Sequence, residues 1–174
     1  NLPSDIRILN ALKVDESFHP VFGAKSKEYS YIIGRKSGRP FLNKSYYHYP
    51  GKLNESLMLE GARMFEGEHD FCNYFCVGTE VKTTVREIFS SSFQKISEVH
   101  IGDVSLMGEF YEFKVIGSGF LKQMVRLMMG SLFALNEGKV GPKDIESSLK
   151  VKLSRKLGAT APPEGLYLKS VSYQ

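Results

Sequence analysis

The stretch with the most chemical promise is Gly117-Ser118-Gly119-Phe120-Leu121-Lys122-Gln123-Met124-Val125-Arg126. Two glycines join a strand-like segment to a helix-like one, and backbone N–H groups at such a helix start could cradle a phosphate. A bare glycine pattern of this kind occurs in many folds, so Arg126 carries more information. It stands in an otherwise apolar helix, with Val125 and Leu127 beside it and Met129 and Gly130 about one turn on. A guanidinium is rarely buried without an anionic partner. Gly130 would let another backbone or a ligand approach closely. Spacing alone leaves open whether Arg126 faces a cleft or solvent.

A second segment, Lys25 to Tyr49, holds Lys25, Lys27, Arg35, Lys36, Arg39 and Lys44 against one acid, Glu28. Tyr29, Tyr31, Phe41, Tyr46, Tyr47 and Tyr49 are interleaved. Cations that meet phosphates beside aromatics that stack on bases are the parts of an RNA-binding surface. A solvated strand-loop-strand with half-buried tyrosines has the same composition. His69-Asp70-Phe71-Cys72-Asn73-Tyr74-Phe75-Cys76 could suggest zinc or acid–base work, but no second ligand pair follows at a suitable spacing. The commoner arrangement is structural: the carboxylate caps a turn and the aromatics fill the core. Ser90-Ser91-Ser92 has no nucleophile elbow around it. Asp5, Asp15, Asp70, Asp103 and Asp144 are scattered, with no evident paired carboxylate.

The elements that must position these residues are partly legible. Asp5 to Val14 reads as a short strand followed by a loop. Lys27 to Ile33 alternates and then becomes fully apolar, as a partly buried strand does. Gly34 to Pro40 reads as a basic turn. Asn54 caps a helix whose apolar face is Leu57, Met58, Ala62 and Phe65, and Gly67 ends it. Thr83 to Phe93 reads as a strand, Val99 to Met107 as another interrupted near Gly102, and Phe110 to Ile116 as a third. Leu121, Met124, Val125, Met128, Leu132 and Leu135 predict a long helix from about Phe120 to Asn136, stopped by Gly138. Pro142 opens a second helix, Lys143 to Leu149. Leu166 to Tyr173 alternates as a closing strand. Strands gathered around a few helices, without regular βαβ alternation, predict an α+β fold with a largely antiparallel sheet and helices on one face. Glu109-Phe110-Tyr111-Glu112 has no reading beyond strand packing.

The bulk properties agree with a globular protein. A chain of 174 residues can bury one sizeable core, in one lobe or two. Lys and Arg number 23 against 19 Asp and Glu, a surplus too small to indicate nucleic acid by itself. Cys72 and Cys76 make no disulfide framework and read as reduced thiols of a cytoplasmic protein. No apolar stretch approaches the length of a membrane span. The opening Asn1-Leu2-Pro3-Ser4-Asp5 lacks Met and has no signal-peptide character, so the chain is expected to be a fragment or a processed form.

Taken together, these stretches resemble the TruA family of tRNA pseudouridine synthases. The matching pieces occur in family order across nearly the whole chain. They are Phe18-His19-Pro20-Val21-Phe22 with Ala24, Lys27 to Ile33, Gly67-Glu68-His69-Asp70-Phe71, Thr84-Val85-Arg86-Glu87-Ile88, Gly119 to Arg126, and Thr160-Ala161-Pro162-Pro163-Glu164-Gly165-Leu166-Tyr167-Leu168. The resemblance implies that residues 1–174 form a single domain with a pseudouridine synthase-like fold, the C-terminal half of an enzyme that isomerises uridine to pseudouridine in tRNA, in the anticodon arm, without cofactor or metal. The family's nucleophilic aspartate lies in an Arg-Thr-Asp-x-Gly-Val-His segment upstream of everything here, and no such segment occurs in this chain. Asp70 matches a different motif, near a structural turn.

Other roles transfer by position. Tyr29 matches the tyrosine that packs against the target base and assists proton removal at C5. Arg126 matches the arginine that pairs with the aspartate, and Leu166 the apolar wall of the base pocket. These implications predict Arg126 buried or cleft-facing, sharing a concave site with Tyr29 and Leu166. Lys25, Lys27, Arg35, Lys36, Arg39, Lys44 and Lys122 are expected to meet RNA. The expected partners are tRNA, the N-terminal half of the same protein and a second copy in a homodimer, with no membrane. Two other readings remain: a catalytically silent RNA-binding module, and a dimerisation domain.

Overall fold

A computed structural model describes residues 2–3, 6–35, 42, 44–76, 78, 80–102 and 104–173. Strand β1, Ser26–Gly34, organises the sheet. From Ser30 onward it is buried on both faces, which is why its alternation gives way to an apolar run. Along one side it pairs antiparallel with β5, Val104–Gly117, from Lys27↔Gly117 to Gly34↔Phe110. Along the other it pairs antiparallel with β6, Leu166–Ser172, and then briefly in parallel with β2, Tyr47–His48. Strand β4, Val85–Ile101, joins β5 in a long hairpin, and β3, Gly67–Asp70, closes the far edge. The result is the expected α+β architecture with a mostly antiparallel sheet.

Two bulges give the long hairpin its shape. The β4–β5 register slips between Ile88 and Ser90, and again between Ile96 and Glu98. Each inserts one residue and shifts the face that later residues occupy. Ile88, Ser91 and Phe93 are therefore buried on the side of the main core. Past the second bulge, Val99 joins Ile96 in a smaller cluster with Ile32, Tyr46, Leu106 and Phe110.

The main core lies under three helices. Helix α1, Glu55–Arg63, is capped by Asn54, whose Oδ1 accepts the Leu57 N–H at 3.2 Å. Its Met58 and Ala62, with Phe65 just beyond, are wholly buried. Helix α2, Met124–Asn136, is apolar on nearly every side, as a central helix must be. From Met124 to Leu135 every residue but Arg126 is buried. Gly138, at φ 69°, ends it by donating to the Leu135 carbonyl. Helix α3, Pro142–Ser148, follows, with the Gly141 N–H on Asp144 Oδ2 at 2.7 Å. No helix here is long and apolar enough to cross a membrane.

Four expectations need correction. Residues 6–14 form no strand and are exposed. Their apolar side chains, Leu9 and Leu12 among them, find no sheet to join. Gly67 does not end α1, which stops at Arg63 with Met64 as its cap. Gly67 instead opens β3 with φ 99°. Val99 to Met107 is not a separate strand but the hairpin tip, reversed at Gly102 with φ 58°. Helix α2 begins at Met124 rather than Phe120, because Gln123 has a left-handed backbone. Most of the basic turn Gly34 to Pro40 lies outside the described residues.

Candidate active site

Tyr29 sits on β1 between Val115 of β5 and Leu168 of β6. Its ring meets Phe120 edge-on, centroids 5.0 Å apart at 75°. Burial pushes its phenol above the ordinary tyrosine range, so near neutral pH it offers an aromatic face and an O–H rather than a phenolate. Leu166 opens β6 opposite Tyr31. Tyr29 and Leu166 line one cleft of about 220 Å³ with Phe120, Leu121, Lys122, Gln123, Met124 and Val125. An aromatic wall, an aliphatic wall and a floor that mixes apolar side chains with Lys122 and Gln123 suit a flat heteroaromatic ring.

The floor is held in an unusual backbone shape. Gln123, at φ 65°, is the one non-glycine residue with positive φ among the described residues. For a side chain of this type the left-handed conformation costs about 1–2 kcal/mol. The packing imposes it. Leu121 and Met124 are buried anchors on either side, and the Lys122 carbonyl accepts the Cys76 N–H at 3.0 Å.

Arg126 lies in the first turn of α2, half-buried. Its Nε donates to the Ala161 carbonyl at 2.7 Å, and the Ala161 N–H returns a bond to the Arg126 carbonyl at 3.0 Å. The crossing that permits this clamp rests on two glycines. A Cβ on Gly130 would lie 1.8 Å from the Ala159 oxygen, and one on Gly158 would lie 2.1 Å from the Gly130 oxygen. The close approach inferred for Gly130 is therefore to the strap of residues 158–162. Among the described residues Arg126 has no carboxylate in salt-bridge range. It follows directly on the cleft-lining run Lys122 to Val125 but does not itself line the cleft. Its charge is felt by buried Tyr31, whose hydroxyl donates to the Pro162 carbonyl at 2.7 Å. Tyr31 titrates well above the usual range, chiefly through burial.

The cations divide. Lys122 lines the cleft with an exposed side chain. Lys27 is in register with Gly117, near the glycine loop beside the cleft, and Lys25 is exposed just before β1. Lys44 is exposed. Arg35 is engaged elsewhere, in an ion pair with Glu109 at 3.2 Å. Lys36 and Arg39 lie outside the described residues. Sequence reasoning gave no individual role to Phe120, Gln123 or Arg86. Arg86 lies against Gly119, where an added Cβ would stand 3.8 Å from its Cδ and Nε. All three stood inside the quoted motif stretches, but spacing alone does not mark which motif residues face a cleft.

The His69–Cys76 stretch is structural. Asp70 Oδ1 accepts the Cys72 N–H at 3.0 Å and the Thr84 hydroxyl at 2.5 Å, while Phe71 and Tyr74 enter the core. Neither Cys72 nor Cys76 is in a disulfide. Among the described residues no group of three His, Cys, Asp or Glu could hold a metal.

Comparison with known proteins supplies the family. A family model described as tRNA pseudouridine synthase matches residues 62–174, which include α2, the strap and β6. The chain belongs to the tRNA pseudouridine synthase family. Its relatives extend the similarity over almost the whole chain. The tRNA pseudouridine synthase A of Bacillus pumilus is 37% identical over 173 residues, covering 99% of this chain and 66% of the relative. That of Pseudothermotoga lettingae is 37% identical over 174 residues, covering 99% and 67%. That of Geotalea daltonii is 40% identical over 173 residues, covering 99% and 66%. The chain thus spans about 66% of the length of the curated relatives it matches.

Proposed function

We propose that this chain supplies the base pocket and part of the RNA surface of a tRNA pseudouridine synthase, and that an N-terminal half of the same protein supplies the nucleophilic aspartate. In the isomerisation the C1′–N1 bond breaks, the uracil turns, and a C1′–C5 bond forms. The C5 hydrogen leaves as a proton and N1 ends protonated, so no redox partner is needed. The observation that carries the reading is the pairing of a cleft walled by Tyr29, Phe120 and Leu166 with an adjacent half-buried Arg126 lacking a carboxylate partner among the described residues.

Each residue then has a physical task. The Tyr29 ring and the Leu166 side chain hold the detached uracil and keep water from it. Arg126, oriented through its Nε by the Ala161 carbonyl, leaves its terminal nitrogens for the incoming aspartate. A guanidinium there keeps that carboxylate ionised and aimed. Lys25, Lys27, Lys44 and Lys122 are exposed or half-exposed and can meet phosphates of the anticodon arm. Arg35 is the weakest member of that set because Glu109 already holds it. The same reading includes a homodimer in the cytoplasm, where Cys72 and Cys76, neither in a disulfide, would stay reduced.

The test is tritium release from C5-labelled tRNA, with the chain alone and with its upstream half added. Release only after addition supports the split site. Release by the chain alone overturns the aspartate assignment. Silence in both cases, with tRNA still bound, turns the reading to an RNA-binding module.

A further inference from the structure

We propose that the side-chain amide of Gln123 reads the imide edge of the uracil held in the Tyr29–Phe120–Leu166 cleft, an assignment that rests on the functional reading above. Three observations converge on this residue. Gln123 lines the cleft that Tyr29 and Leu166 wall. It alone among the described non-glycine residues has positive φ, in a turn fixed by buried Leu121, buried Met124 and the bond from Cys76 N–H to the Lys122 carbonyl. Its amide makes no hydrogen bond to any described residue, not even to the start of α2, where a polar side chain would ordinarily cap. A primary amide on the cleft lining with no partner among the described residues, held on a strained backbone, is placed to meet a ligand.

The chemistry of uracil fits an amide. Its imide edge presents N3–H as a donor between two carbonyl acceptors. A primary amide presents one acceptor and two donors, so Oε1 can accept from N3–H while Nε2 donates to a flanking carbonyl. The isomerisation adds a further reason for reading this edge. Exchanging N1 for C5 is a half-turn about the axis through N3 and C6. That turn leaves N3–H in place and swaps the two carbonyls. An amide on this edge therefore makes the same pair of bonds to the substrate and to the turned base. It can steady the ring through the step in which no covalent bond holds it. Cytosine has no N3–H and lacks this match.

The experiment uses the chain together with its upstream half, on tRNA carrying C5-tritiated uridine or 3-methyluridine at the target position. Gln123→Gly is the informative variant because glycine accepts φ 65° without strain, so it removes the amide and keeps the turn. The expected result is a loss of about 10- to 100-fold in kcat/KM on uridine, with tRNA affinity unchanged. The preference for uridine over 3-methyluridine should shrink by a similar factor, because the variant no longer demands the N3 proton. A glycine variant with full activity and the parent preference intact would overturn the assignment and leave Gln123 as a turn residue only. If the unsubstituted protein releases no tritium, the functional reading fails instead. The amide is then judged by binding: uridine 5′-monophosphate should bind more tightly than its 3-methyl form to the parent and not to Gln123→Gly, and equal affinities for the parent refute it.

Discussion

Two arginines show how differently this fold treats the same charge. Arg35 stands just past the end of β1, 3.2 Å from Glu109, which also holds Lys95 at 3.0 Å. Arg126 interrupts the most buried helix of the molecule, and its partner is a main-chain carbonyl rather than a carboxylate. At the end of β1, three charges trim one another in water, where such pairs add little to stability. At α2, two glycines bring a strap against the helix, and the strap fixes the guanidinium without neutralising it. The first arrangement completes itself within the chain. The second has no carboxylate partner among the described residues, which is what the proposed split active site would require.

The largest separation between the two regions should appear in activity. Arg126→Met in the completed enzyme should lower tritium release about 1,000-fold, while Arg35→Met should change it less than about threefold. Comparable losses in single-turnover assays would erase the contrast. Next comes the packing behind Arg126. Gly130→Ala places a Cβ 1.8 Å from the Ala159 oxygen and should destabilise by at least about 3 kcal/mol in urea unfolding. An alanine variant of near-parent stability would mean that the strap can move aside.

The two regions should also fail at opposite ends of the pH scale. Tyr74 is buried in the core that α2 shares, with its hydroxyl on Ser148 Oγ at 2.6 Å, and burial pushes its pKa up to about 12. The folded state therefore keeps a proton that the unfolded chain releases near pH 10. Stability present below pH 10 should be lost as pH rises from about 10 to about 12, and Tyr74→Phe should blunt that loss in thermal melts. Glu109 is displaced the other way, held below the usual carboxylate range first by its hydrogen bond from Lys95. Its contribution is present above the ordinary carboxylate value and fades as pH falls through the depressed one. Salt should weaken it. The smallest effect is expected from Glu109→Gln, whose midpoint in urea unfolding should stay close to that of the parent.

The legible parts of the fold are those governed by neighbours in sequence. Asn54 caps α1 because its own side chain reaches the N–H three residues on. Gly138 ends α2 and Pro142 opens α3 through local backbone rules. The apolar run Tyr31 to Ile33 announces a strand covered on both faces. The hairpin is misdivided from sequence because bulges, one at Phe89 and one where Gly108 and Glu109 oppose Ser97, depend on the partner strand's register, which no period of two reveals. The start of α2 is misplaced because a glutamine ordinarily favours the helix, and only the flanking anchors force it left-handed.

The candidate site divides along the same line. The family resemblance, read position by position, is what singles out Tyr29, Arg126 and Leu166 from the sequence as expected site residues. That Tyr29 and Leu166 share a cleft depends on β6 returning to β1 by the Tyr31↔Leu166 register, across most of the chain. That Arg35 is already paired depends on Glu109, 74 residues away. That Gln123 faces the same cleft depends on how Leu121 and Met124 pack. The sequence by itself determined which chemical groups the protein carries and which local elements hold them. Only the tertiary structure decided which groups meet and which charges are left open to a partner, because contacts between distant segments are set by packing and register rather than by neighbours along the chain.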